Sequence, residues 1–138
     1  MAILMVSGFL MYSGCMGEGK GFALPEGNLE SGKTTFLELK CNACHSLGEI
    51  TWQGEGEEKD IPLGGETTSI KTYGELVTSI INPSHKITTT LGLDTSGSSK
   101  MKVYNEVMTV EQLVDLVAFL KTEYRLVAPK GTYYPHYY

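Results

Sequence analysis

Cys41-Asn42-Ala43-Cys44-His45 is the stretch that decides how the rest of this sequence is read. Two thiols separated by two residues and followed at once by an imidazole form the attachment signature of c-type haem. Each thiol can add to one vinyl group of the porphyrin, and two intervening residues match the distance between those groups. The adjacent histidine then falls under the iron and ligates it through a ring nitrogen. A Cys-x-x-Cys pair can also be half of a zinc site, but no second ligand pair accompanies it in this sequence. A dithiol redox pair sits in strand–helix–strand surroundings, whereas the flanks here read as helix and loop. The motif therefore predicts one covalent haem c with its iron, held by Cys41, Cys44 and His45.

Working outward, Phe36, Leu37 and Leu39 supply apolar positions, and Asn28 and Ser31 are both candidate caps. These predict a helix over residues 29–40 that runs directly into Cys41. Residues 46–69 contain no long periodic run and read as loop, with Trp52 as the main apolar anchor. The longest charged stretch, from Glu55 to Asp60, reads as a solvated part of that loop. Leu76, Val77, Ile80 and Ile81 recur at helical spacing, which predicts a helix over 73–81 with Pro83 as its stop. Residues 84–100 are rich in Thr, Ser and Gly and read as loop. The last helix carries the clearest signal. Thr109 and Gln112 match a capping box, and Leu113, Leu116, Val117 and Leu120 follow on one face, widened by Val114, Ala118 and Phe119. Its end is expected between Glu123 and Arg125, ahead of Pro129 and Gly131. Few segments read as strand, so the expected fold class is mainly α, helices and loops wrapped round one haem.

The 138 residues suit one compact domain plus tails. The domain is read as 29–127, preceded by a Gly-rich tether over 15–28 and followed by a Tyr-rich tail over 128–138. The net charge of −5, without a basic run, argues against a nucleic-acid partner. Residues 2–12 are almost unbroken apolar sequence, shorter than the roughly 20 residues that span a bilayer. They suit the core of a secretory signal. Leu10-Met11-Tyr12-Ser13-Gly14-Cys15 resembles a bacterial lipoprotein cleavage site. That resemblance implies a signal over 1–14 and a lipid on Cys15, the third cysteine that the haem motif leaves over. The expected location is the periplasmic side of a bacterial membrane, by export and lipid anchoring.

From about residue 29 to 125 the sequence resembles the class I c-type cytochromes, small proteins with one haem. Gly32 and Phe36 stand where that family's first helix places a glycine and an aromatic, and Leu116 and Phe119 where its last helix packs against them. Ile61-Pro62-Leu63-Gly64-Gly65 resembles the family's Gly-Pro-x-Leu-x-Gly segment. The resemblance implies that the carbonyl of Pro62 accepts a hydrogen bond from the axial histidine. It also implies a methionine as the second axial ligand, from a loop before the last helix. Met101, followed by Tyr104, matches that position; Met108, just before the helix cap, and His85 are the competitors.

The functional expectation is one-electron transfer, not enzymatic turnover, between a redox protein donor and acceptor. The net negative charge suggests a partner surface with some basic character. One alternative is a fixed cytochrome subunit of a larger membrane or periplasmic oxidoreductase, docked through the tyrosines of the tail. Another is a haem sensor or enzyme with a labile sixth ligand.

Overall fold

The computed structural model describes residues 24–56, 59–87, 89–129 and 131. The apolar N-terminal run, Cys15 and the tail tyrosines lie outside the described residues. Three helices and a short parallel sheet follow in the order α1 (Leu29–Glu38), β1 (Gly65–Thr67), α2 (Tyr73–Ile81), α3 (Val110–Thr122) and β2 (Tyr124–Leu126). The regular structure is thus mainly helical, as expected.

Each helix starts on a side chain that satisfies its free amides. Asn28, not Ser31, caps α1, accepting from the Ser31 amide at 2.9 Å. Thr72 with Glu75 and Thr109 with Gln112 close full capping boxes on α2 and α3. The first helix does not run into the cysteine motif. It ends at Glu38, and Lys40 takes a left-handed backbone conformation at φ 59°. A branch-free lysine tolerates that conformation at some strain. The break lets one 3-10 turn, Cys41–Ala43, re-aim the chain.

The crossing of α1 on α3 organises the core. At Gly32 an added Cβ would lie 2.6 Å from the Asp115 carbonyl carbon and 2.7 Å from the Phe119 Cβ, so only glycine allows this approach. Phe36 meets Phe119 edge to face, with centroids 6.3 Å apart and planes at 71°. Val117 is wholly buried, and Leu116 and Leu120 join Leu76 and Ile80 of α2 in the same cluster. The Asn28 amide donates to Asp115 Oδ1 at 2.7 Å, fixing where the chain arrives at the crossing. Gly32→Val is expected to push the helices apart and cost about 1–3 kcal/mol, the range for overpacked cores. The urea midpoint should fall with the slope of the transition unchanged.

The sheet is the departure from expectation. Gly65–Thr67 pairs in parallel with Tyr124–Leu126, joining the loop region to the end of α3. Gly64, at φ 79°, makes this possible: a Cβ there would lie 2.9 Å from the Glu123 carbonyl oxygen. Glu66 and Arg125 form an ion pair across the strands, largely exposed and so worth at most about 1 kcal/mol. Within the loop region the buried anchor is Leu47, at 2 % exposure; Trp52 is only half-buried.

Candidate functional site

One open cavity of about 950 Å³ collects the chemically distinctive side chains. Cys41, Cys44 and His45 line it from the turn after α1, and Met101, Tyr104 and Met108 from the segment before α3. Its apolar wall includes Leu63, Ile80, Leu116 and Leu120. The volume sits near the upper end of ordinary ligand pockets.

The imidazole of His45 is held by the loop beneath it. Its Nδ1 lies 2.8 Å from the Ile61 carbonyl oxygen. A carbonyl can only accept, so Nδ1 carries a proton and Nε2 is the ring nitrogen left to bind a metal. This corrects the expectation for Pro62: the carbonyl facing His45 belongs to Ile61, and the exposed Pro62 does not make the bond. The leucine and glycine of the segment carried the right register. Leu63 stands two residues after Ile61, as the leucine of Gly-Pro-x-Leu stands two after its proline, and Gly65 follows at the matching distance. Anchoring on those residues instead of on the proline would have selected Ile61.

Ile61 is itself laced to the motif. Its amide donates to the Cys44 carbonyl at 2.9 Å, and the Leu63 amide donates to the Ser46 carbonyl at 2.9 Å. Asp60 accepts from the Ser46 amide at 2.8 Å and from the Ser46 hydroxyl at 2.7 Å. Asp60 is therefore a half-buried clasp, not part of a solvated acidic run as its sequence neighbours suggest. Sequence reasoning had no signal for Ser46 or Asp60, because their pairing depends on the register of two loops.

The Met101 side is held differently. The Tyr104 hydroxyl donates to the Leu39 carbonyl at 3.2 Å, tying this loop to the end of α1. Burial, then the neighbouring Cys41 and Cys44 thiols, raise the Tyr104 pKa, so it remains a phenol and a donor. The Met101 amide donates to the Ser99 hydroxyl at 3.2 Å, and the Asn105 side chain donates to the Ile81 carbonyl at 3.2 Å. Met108 lines the same cavity and packs against the core cluster beside the α3 cap. His85 also lines it, from an exposed turn just after α2.

Burial pushes the Cys41 thiol up to about 11, against a backbone hydrogen bond that lowers it, while the charge of Cys44 adds to the rise. This environment disfavours the Cys41 thiolate. Nor do the two thiols and His45 converge on a point: among the described residues no group of three His, Cys, Asp or Glu side chains is arranged to hold a metal ion by itself. All three line one large cavity.

No known family profile, curated protein or solved structure matches this chain. Among the described residues no helix is long and apolar enough to cross a membrane.

Proposed function

We propose that this chain is a class I-type c-type cytochrome, a one-electron carrier with a single covalent haem. The observation that carries the reading is that Cys41, Cys44, His45 and Met101 line one cavity, with the His45 ring oriented from behind by Ile61. The donor set fits the group: two thiols at the attachment spacing, an imidazole whose free nitrogen is Nε2, a thioether, and apolar walls.

In this reading Cys41 and Cys44 would hold the group through thioethers, and His45 and Met101 would ligate its iron. Haem supplies an iron couple that changes by one electron without making or breaking covalent bonds. The protein's part is to fix and tune. The Ile61 carbonyl accepts a hydrogen bond from His45 Nδ1, which fixes the ring plane and makes the imidazole a stronger donor. Leu63, Ile80, Leu116 and Leu120 keep water from the inner wall and lower the local dielectric. Tyr104 holds the loop that carries Met101. With His45 and Met101 both given to the iron, no coordination site would be left for a substrate, which favours a carrier over an enzyme. The reading includes export and a lipid anchor at Cys15 on the periplasmic side of a bacterial membrane.

The test is the state of the cofactor in the purified protein. The intact mass under denaturing conditions should exceed that of the mature chain, cleaved before Cys15 and lipidated there, by one haem, and the alkaline pyridine spectrum should be that of a haem whose two vinyl groups are saturated. Haem that extracts into acidified organic solvent, or none at all, would reject the proposal.

A further inference from the structure

The carbonyl that faces His45 belongs to the peptide between Ile61 and Pro62, and proline contributes no N–H to it. Apart from the bond to His45, that peptide plane is oriented only through its neighbours. Before it, the Ile61 amide donates to the Cys44 carbonyl at 2.9 Å; after it, the Leu63 amide donates to the Ser46 carbonyl at 2.9 Å. Proline confines the residue ahead of it to extended backbone, which narrows the directions open to the Ile61 carbonyl without choosing one. The choice matters, because a hydrogen bond weakens steeply as its angle closes.

Asp60 supplies the remaining tie. Its Oδ1 accepts from the Ser46 amide at 2.8 Å and its Oδ2 from the Ser46 hydroxyl at 2.7 Å, so one carboxylate grips one residue with both oxygens. Bonds to an ionised acceptor are about twice as strong as neutral ones. Ser46 directly follows His45 and Asp60 directly precedes Ile61. The clasp therefore joins the residue after the imidazole to the residue before its acceptor. Among the described residues no helix or strand lies between these two segments, so their register falls to these bonds. A slip of one residue would offer His45 the Pro62 carbonyl instead, and it would carry Asp60 off Ser46.

We infer that Asp60 is a positioning residue for His45: by clasping Ser46 it holds the Ile61 carbonyl in line with Nδ1 and so sets how strongly the imidazole donates to the iron. This rests on the electron-carrier reading above, and it adds a residue that lies outside the cavity lining. The consequence has a sign. A firmer bond at Nδ1 makes the ring a stronger donor, which favours the ferric state and lowers the reduction potential. Loosening that bond raises it.

The test uses the full-length holoprotein, isotopically labelled on nitrogen and reduced, so that low-spin ferrous iron leaves the His45 Nδ1–H visible by NMR. Its exchange with solvent is compared with that of the amide of Val117, which is wholly buried on α3 and reports global opening. Asp60→Ala should speed ring-proton exchange about ten- to a hundredfold relative to Val117, the factor that loss of a charge-assisted hydrogen bond corresponds to, and should raise the reduction potential. Ser46→Ala removes the hydroxyl half of the clasp and leaves the carboxylate charge in place. It should move both readouts in the same direction by less, and it carries the test by itself should Asp60→Ala not fold. Asp60→Asn removes the charge but can keep both contacts, with Oδ1 on the amide and Nδ2 donating to the hydroxyl, so it should restore most of the protection. A clasp that serves stability alone would speed the ring proton and the Val117 amide by the same factor, and that result would overturn the inference. So would an unchanged ring proton in both alanine variants, or a potential that moves only where the charge is lost. Absence of haem from the same preparation would reject the carrier reading instead, and the ring proton, which needs no iron to be seen, would still decide the clasp.

Discussion

Replacing Cys41 and Cys44 together by alanine is expected to leave the purified protein without haem. In the proposed holoprotein the two thioethers are the attachments that do not dissociate, and His45 and Met101 add two reversible coordination bonds. The cavity is open to solvent, and Ile87 and Leu91 in its lining are exposed, so burial alone does not close over the group. Each single substitution keeps one thioether and should retain haem on the denatured chain, at lower occupancy. The double substitution should retain none, read as loss of haem-dependent peroxidase staining after denaturing electrophoresis. The fold should weaken as well. A group that binds only the folded state stabilises it by linkage, and Leu63, Ile80, Leu116 and Leu120 lose a packing partner. A melting temperature lower by on the order of 10 °C or more corresponds to a few kcal/mol for a domain of this size. Full occupancy in the double variant would mean that the cysteines do not hold the group.

Met101→Ala has the second-largest expected effect, on the iron and not on attachment. Haem should remain covalently bound, because Cys41 and Cys44 are untouched. The weak long-wavelength charge-transfer band of the oxidised His/Met centre should vanish, and the reduced protein should bind carbon monoxide at neutral pH. A thioether ligand favours ferrous iron, so its loss should lower the reduction potential by on the order of 0.1 V or more, within the roughly 0.8 V that axial ligands span. Met108→Ala and His85→Ala separate the candidates that share the cavity. Met101 and Met108 both pack against the core cluster, so truncating either should cost stability, and Met108→Ala should spare the band. His85 is exposed, so its substitution should change neither. A band that survives Met101→Ala and disappears in Met108→Ala would reassign the ligand to Met108, and absence of the band from the unsubstituted protein would point to His85.

The helices were legible in the sequence because their signals are local. Thr109 with Gln112 and the apolar stripe that follows fix α3 without reference to the rest of the chain. Gly32, Phe36 and Phe119 were legible as a set, and the close crossing they form explains why a glycine is needed there. The sheet was not, since three residues such as Gly65–Thr67 have no period to detect and pair with a segment far along the chain. The site divides in the same way. Cys41, Cys44 and His45 announce themselves by spacing, and the structure brings Met101 to the same cavity. The carbonyl behind His45 was misplaced by one residue, because proline drew the register where Leu63 and Gly65 were the better guides. Ser46 and Asp60 carry no signature, as any polar pair could occupy those loops until the hydrogen bonds between residues 44–46 and 60–63 are formed.

The manner in which the chain arrives at α1 has a mechanical consequence. Gly27 lies so close to α3 that an added Cβ would come within 2.7 Å of the Ala118 Cβ and of the Val114 carbonyl oxygen, and Asn28 is bonded to Asp115. At about 100° per residue, Val114, Asp115 and Ala118 occupy the side of α3 roughly opposite Leu116 and Leu120, which line the cavity. Tension from whatever precedes residue 24 is thus delivered to the back of that helix. A tethered domain can swing about this pivot with its reactive side turned outward, so being held at one place does not hide it from what it meets.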